Sequence, residues 1–403
     1  MRVLIATVTA GGGHLAAAAA LEETWRRLRP DDVVAQVDLV DFFSPLHRKI
    51  HADGYLALIG KAPELWGMMF NKTDSLKSAR RWHRWRRVFP GRSRVRFARH
   101  VTHFQPDAVL CTHYLPLETL ALLRAGHFRK HKWSLDIHVR SREARRAGAA
   151  AAAPSLPARA PFVVSIVTDF EAHALWMESC VDLYCVAADH TKARLVARGA
   201  AAEDVVVTGI PVAMKFSGQP DVKAVRRTFG LRDDQPVLLV LSGGFGTGPL
   251  GGILTELNKF DRPLQTAVVT GRNEPLRREL AVGDWKHPTR VFGYMPNMHE
   301  LMAVADLIIT KAGGLTTSEA LALGKPLLLV RPIPGQEAAN SDFLLEWGAA
   351  TKINRLEDLP YRLGQLLGAR KLADMARAAK ALGRPAAASS VCAEVVKRIA
   401  PAA

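Results

Sequence analysis

An apolar run that ends in three glycines and a histidine sets the strongest limit on the fold. Val3–Ala10 leads into Gly11-Gly12-Gly13-His14, then into the Ala/Leu/Glu/Arg-rich stretch Leu15–Leu28, with Pro30 as a stop. A buried strand turning tightly into a helix is the repeating unit of a parallel sheet, because parallel strands need a crossover and a helix is the usual one. The run is too short for a signal peptide and ends in a turn, so it reads as a first strand. Val33–Leu39, Ala108–Cys111, Phe162–Val167 and Leu183–Val186 read as further buried strands with helical segments between them. The pattern restarts after Pro220, with strands expected at Val237–Leu241, Thr266–Thr270, Arg290–Phe292, Leu307–Thr310 and Pro326–Val330. Helices are expected at Ser318–Leu323, Gln336–Trp347 and Ser389–Ile399.

This alternation predicts an α/β chain of two halves of similar size, each a parallel sheet flanked by helices. With 403 residues, two or three domains are expected. The boundaries are placed at 1–215, 216–385 and a C-terminal helix and tail over 386–403, with 141–161 as a low-complexity insertion. Hydrophobic residues make up 48% of the chain, which excludes global disorder. Four scattered cysteines without a C-x-x-C pair exclude a disulfide framework and a zinc ribbon. No apolar stretch of about 18 residues is present, so a cytoplasmic protein with reduced thiols is expected.

Four motifs carry candidate chemistry. In the first, Gly12 and Gly13 let a ligand approach the backbone at a helix N-terminus. His14 then faces the crevice beyond the strand ends, where a neutral imidazole can take a proton from a hydroxyl. The alternative is a plain strand–helix turn. The second is the glycine-rich loop Ser242–Gly248, either a simple loop or a phosphate cover; it is neither a Walker A loop nor a G-x-G-x-x-G fingerprint. The third, Thr310–Glu319, opens a helix. Gly313 and Gly314 free the backbone, Thr316, Thr317 and Ser318 offer hydroxyls, and Glu319 could accept a ribose diol. Thr316-x-x-Glu319 also reads as a capping box. The fourth, Pro332–Asn340, delivers Gln336 and Glu337 at a helix start, where they can read sugar hydroxyls or simply begin a helix. After the strand Phe162–Val167, Asp169 could bind a hydroxyl or orient a histidine. No D-x-D triplet is present, so metal-dependent sugar-nucleotide binding has little support.

The order of these motifs resembles the family of monogalactosyldiacylglycerol synthases and processive diacylglycerol glucosyltransferases. That family is related to the lipid-linked N-acetylglucosaminyltransferase of peptidoglycan synthesis. The resemblance covers nearly the whole chain apart from 124–161 and the last few residues. It rests on Gly11–His14, Val37–Asp41, Lys61–Trp66, Val167–Phe170, Gly209–Val212, Val269–Asn273, Phe292–Met295, Gly313–Glu319 and Pro334–Asn340. It implies a GT-B fold with the lipid acceptor on the N-terminal half and a UDP-sugar on the C-terminal half. His14 matches the proposed base; Gly12, Gly13, Asp169 and Trp66 fall on the acceptor side. Gly243, Gly244, Phe245 and Gly246 would close over phosphate. Gly271, Arg272, Asn273, Gly293, Tyr294 and Met295 would surround the uracil. Gly313, Gly314, Thr316 and Thr317 would hold the diphosphate and Glu319 the ribose, with Gln336, Glu337 and Asn340 on the sugar. The implied reaction is an inverting transfer of galactose or glucose to diacylglycerol, with no metal and no cofactor. Another lipid-linked acceptor, or a sugar-nucleotide 2-epimerase on the same fold, are the alternatives.

Charge suggests where such an enzyme works. Lys72–Arg99 holds eleven basic residues and one acidic, Asp74, about ten of the +17 net charge. Within it Leu76, Ala79, Trp82, Trp85 and Phe89 fall on one half of a helix, with Arg80, Arg81, Arg84, Arg86 and Arg87 among the basic residues around them. A basic amphipathic helix bearing tryptophan fits an anionic bilayer surface, so a peripheral position at the inner face of the cell membrane is expected. Nucleic-acid binding is the less favoured reading, because the charge is concentrated in one segment.

Overall fold

A computed structural model describes residues 1–9, 12–45, 48, 62–75, 77–78, 91–126, 160–243, 248–368 and 370–399. Ala10, Gly11, Gly244, Phe245, Gly246, the segment 79–90 with its proposed membrane residues, and nearly all of the 141–161 insertion lie outside the described residues.

Two parallel six-stranded sheets organise the chain. The first holds β1 (Arg2–Thr7), β2 (Val33–Asp38), β3 (Ala108–Cys111), β4 (Phe162–Ile166), β5 (Leu183–Val186) and β6 (Val205–Val207), in the order β2-β1-β3-β4-β5-β6. The second holds β7 (Val237–Leu241), β8 (Gln265–Val269), β9 (Thr289–Phe292), β10 (Leu307–Thr310), β11 (Leu327–Val330) and β12 (Ala350–Ile353), in the order β12-β11-β10-β7-β8-β9. The strand order reverses between β1 and β3 in the first sheet and between β7 and β10 in the second. Each reversal opens a crevice at the carboxyl edge, because the connections leave to opposite faces.

Helices cover both faces. The first half carries α1 (Gly12–Leu28), α2 (Pro63–Thr73), α3 (Arg92–Phe104), α4 (Tyr114–Arg124) and α5 (Asp189–Ala197). The second carries α6 (Val222–Thr228), α7 (Leu250–Leu257), α8 (Glu274–Ala281), α9 (Met298–Val304), α10 (Gly314–Ala322), α11 (Gln336–Glu346), α12 (Leu359–Leu366) and α13 (Arg370–Leu382). The last helix, α14 (Ala387–Ile399), crosses back to the first half. Its Ala388, Val391, Cys392 and Val395 join Val3, Ile5, Leu21 and Trp25 in one buried cluster. Gly209, in the connection after β6 and at φ +88, is close-packed against Arg384 just before α14, so the start of the linker and the chain end brace each other.

The basic segment Lys72–Arg99 is not solvated throughout. Phe97 is fully buried on α3, and Arg94 is buried in an ion pair with Glu118 at 2.6 Å. One face of the described end of that segment, with Arg94, Val95, Phe97 and Ala98, is therefore part of the core, while Arg92 and Arg96 are exposed. All four cysteines are free and buried.

Candidate active site

His14 sits in the first turn of α1, at the crevice between β1 and β3. Its Nδ1 lies 2.8 Å from the Thr112 carbonyl, after β3, and 2.9 Å from Thr168 Oγ1, after β4. A carbonyl can only accept, so Nδ1 carries the proton and donates to it, with the Thr168 oxygen as a second acceptor. The lone pair then lies on Nε2. The ring meets His113 edge-on at 4.7 Å. Burial lowers the imidazole pKa to about 4, more than the Thr112 hydrogen bond raises it, so the ring is neutral at physiological pH. Asp169 does not orient His14; Thr112 and Thr168 do, and neither residue had a role in the sequence reading.

The second crevice is built from the ends of β7 and β10. Gly243 after β7 approaches Lys311 after β10: a Cβ at Gly243 would lie 3.4 Å from Lys311 Cε. The helix α10 opens at Gly314 with Gly313 as its cap, four residues earlier than the expected Ser318. Thr316 is thus inside the helix and the capping box is not formed. Thr317 Oγ1 donates to the Gly313 carbonyl at 2.8 Å, and Ser318 Oγ to that of Gly314 at 2.7 Å. Those two hydroxyls are spent inside the helix, whereas the first-turn N–H groups have no acceptor within it, and Thr316 Oγ1 has no hydrogen-bond partner among the described residues. Glu319 is half-buried, has no hydrogen-bond partner among the described residues, and is pushed up to about 8 by burial, against a smaller lowering by Lys215.

The uracil candidates come together at the neighbouring strand ends. Gly271 follows β8 and Gly293 follows β9, and a Cβ at Gly293 would lie 3.8 Å from the Gly271 carbonyl oxygen. Arg272 lies over the Tyr294 ring at 5.8 Å, and Asn273 caps α8 by accepting from Leu276 N at 3.1 Å. Met295 packs against the second-half core.

The two halves meet edge to edge across these crevices. A Cβ on Gly13 would lie 3.6 Å from that of Leu315, so α1 and α10 bring their N-termini together. Gly314 lies so close to the Thr168 carbonyl that any side chain would collide with it. The helix α2 bridges both halves: Trp66 Nε1 donates to Gln336 Oε1 at 3.1 Å, and Phe70 packs on both Gly335 and His173. Gly335 has φ +97, a conformation that a glycine adopts without strain.

Two of the three expected sugar ligands are otherwise engaged. Glu337 is buried, paired with Lys311 at 2.9 Å and accepting from Ile333 N at 3.0 Å. Asn340 is fully buried: its Oδ1 accepts from Phe170 N at 2.8 Å, and its Nδ2 donates to Asp169 Oδ1 at 2.9 Å and the Ala312 carbonyl at 3.1 Å. Asn340 is therefore a clasp between the halves rather than an open sugar contact. The Gln336 amide nitrogen has no hydrogen-bond partner among the described residues. Burial raises Asp169 to about 6, with Glu337 adding to the rise and the Asn340 amide opposing it.

Two Rossmann-like halves facing across a cleft define the GT-B fold. Solved structures agree: MurG of Acinetobacter baumannii aligns at TM-score 0.57 and 17% identity over 98% of this chain and 99% of that one. A UDP-N-acetylglucosamine 2-epimerase of Neisseria meningitidis, bound to UDP-GlcNAc, aligns at 0.57 and 16% over 98% of this chain and 100% of that one. A family model for monogalactosyldiacylglycerol (MGDG) synthase matches residues 14–135 and 156–212, and the glycosyltransferase family 28 C-terminal domain matches 252–391. A processive diacylglycerol beta-glucosyltransferase of Bacillus cereus is 30% identical over 97% of this chain and 92% of its own length. One of Bacillus pumilus is 35% identical over 58% of this chain and 62% of its own length. The chain belongs to this family of monogalactosyldiacylglycerol synthases and processive diacylglycerol glucosyltransferases.

Proposed function

We propose that the protein transfers a hexose from a UDP-sugar to diacylglycerol with inversion. The observation that carries this is His14, neutral and with no partner at Nε2 among the described residues, beside the N-terminus of α10. Nε2 takes the proton of the acceptor hydroxyl as its oxygen attacks the anomeric carbon. The bond from that carbon to the β-phosphate oxygen breaks, and UDP carries away the electron pair. Free N–H groups and the dipole at α10 offset the charge that develops on the diphosphate. This supports a reaction that uses no metal and no cofactor. The relatives are named for glucosyl transfer and one family model for galactosyl transfer, so the hexose is glucose or galactose. Incubation with labelled UDP-glucose or UDP-galactose and diacylglycerol vesicles tests the reading. Label should move into solvent-extractable lipid; label released only as free sugar, or a UDP-sugar epimerised without lipid, would reject it.

An ionised Glu319 accepting both ribose hydroxyls leads to a pH dependence. In the free protein the group is protonated below about 8. UDP favours the ionised form, so binding releases a proton and weakens as pH falls, approaching tenfold per pH unit. Calorimetry in EDTA between about pH 6 and 9 should show this. Glu319→Ala should weaken UDP binding by about 1–3 kcal/mol and abolish the slope. A flat profile in the wild type would remove Glu319 from the ribose.

The enzyme must reach a water-insoluble acceptor, and we place it peripherally on anionic membrane. No helix among the described residues is long and apolar enough to span a bilayer. The helix α2 exposes Leu65, Met68 and Met69, at 46%, 55% and 49%, at i, i+3 and i+4 on one face, just before the basic segment. Each basic residue near such a surface adds about 1 kcal/mol. Changing Arg80, Arg81, Arg84, Arg86 and Arg87 to Ser should abolish flotation with anionic vesicles at low salt and leave UDP binding intact. Wild-type protein that ignores those vesicles would contradict the placement.

A further inference from the structure

Three consecutive residues after β4 join the base to the C-terminal half. Thr168 Oγ1 holds His14 Nδ1 at 2.9 Å. Asp169 Oδ1 accepts from Asn340 at 2.9 Å. Phe170 N donates to the same Asn340 at 2.8 Å, while its ring stacks on Phe343, one turn along α11, at 4.7 Å and 11°. Two of the three are thus gripped by the C-terminal half and the third grips the base. The Thr168 carbonyl also abuts Gly314 at the start of α10.

We propose that Thr168–Phe170 is a relay through which the C-terminal half positions the general base, with Thr168 and Asn340 as positioning residues. This rests on the reading of His14 as that base. The helix α11 carries Gln336 and Glu337 on its first turn and Asn340 on the next, and Glu337 ties that turn to Lys311. Any shift of this loop on a bound sugar-nucleotide moves Asn340, and Asn340 moves the backbone next to Thr168. The segment does not depend on the clasp for its whole shape. Thr191 Oγ1 donates to the Phe170 carbonyl from within the first half, and Val167 N pairs with the Cys185 carbonyl at 3.0 Å. Parting of the halves therefore leaves Val167 and the Phe170 carbonyl held but releases Asp169 and the Phe170 N–H, so that Thr168 between the two anchors can turn away from His14. His14 then keeps only the Thr112 carbonyl, one anchor instead of two, and its ring is free to swing Nε2 off the acceptor. Coupling of this kind predicts that the two positioning residues act through one contact rather than independently.

The experiment compares Thr168→Val, Thr168→Ser, Asn340→Ala and the double variant Thr168→Val/Asn340→Ala. Thr168→Val should lower kcat by about 10–30-fold with KM for UDP-hexose within about twofold, and Thr168→Ser should restore turnover to within about threefold. Asn340→Ala should give the same kcat loss, and the double variant should be no worse than either single one. A second readout needs no activity. The His14 Nδ1–H proton signal, identified by its loss in His14→Gln, should be protected from solvent exchange in the UDP-bound wild type and broadened in Asn340→Ala. A raised KM with unchanged kcat in Asn340→Ala would return that residue to the sugar. Additive losses in the double variant, or an unchanged Nδ1–H signal in Asn340→Ala, would overturn the relay. Absence of hexose transfer by the wild type would reject the functional reading, and the proton signal would still decide the relay.

Discussion

Replacing His14 with alanine is expected to lower kcat by about 10²–10⁴-fold while UDP affinity stays within about twofold of wild type. The split follows from the geometry. His14 belongs to the first half and its Nδ1 bonds are to Thr112 and Thr168. The expected UDP ligands belong to the second half, so removing the imidazole leaves them in place. The low pKa, about 4, acts in two directions. It keeps all of the imidazole in the basic form at neutral pH. It also makes Nε2 a weak base toward an alcohol, so the proton moves as the oxygen–carbon bond forms rather than before. Steady-state kinetics with calorimetry for UDP checks the result. Near-normal turnover in a folded His14→Ala variant would move the role elsewhere. Asp169, which burial holds at about 6, would be the next candidate.

Gly314→Ala is expected to be almost as damaging, with kcat reduced by about 10²-fold and the overall fold retained. A Cβ at this position collides with the backbone oxygen of Thr168, and a backbone atom cannot swing aside. The halves must separate locally, which withdraws the N-terminus of α10 from His14. A displacement of about 1 Å at reacting groups can cost 10²-fold in rate. Circular dichroism and the melting temperature should stay close to wild type, because the helix itself tolerates alanine. Turnover within about threefold of wild type would show that the halves need not meet at this point.

Much of the architecture is legible in the chain because buried parallel strands are short apolar runs. Val237–Leu241, Leu307–Thr310 and Leu183–Val186 carry the same bounds in sequence and structure. The strands β6 and β12 escape for opposite reasons: one is only three residues long, the other reads Ala-Thr-Lys-Ile without an apolar run. The α10 start lies four residues before the expected Ser318, because Gly313 and Gly314, which the sequence shows only as freeing the backbone, here cap the helix and open it where a Cβ has no room. The site is legible where a motif is local, as at Gly12–His14. It is illegible where a role depends on a distant partner. Asn340 reads as a polar residue on a helix face until Asp169 and Phe170, some 170 positions away, meet its amide. Thr168 and Thr112 carry no local sign that they grip His14. Asp74 looks like the lone acid in a basic run, yet Arg194 and Arg198 meet it at 2.8 and 2.9 Å and fix the end of α2.

The stereochemistry of the product reports on the displacement at His14. A single displacement by an acceptor oxygen deprotonated at His14 converts an α-linked UDP-hexose into a β-linked glycolipid. The wild-type enzyme should be incubated with UDP-glucose or UDP-galactose, diacylglycerol vesicles and EDTA, and the lipid product isolated. Its anomeric proton should show the large coupling of a β-hexoside, and His14→Ala should yield almost none of it. An α-glycoside, or a β-glycoside formed equally well by His14→Ala, would contradict the account.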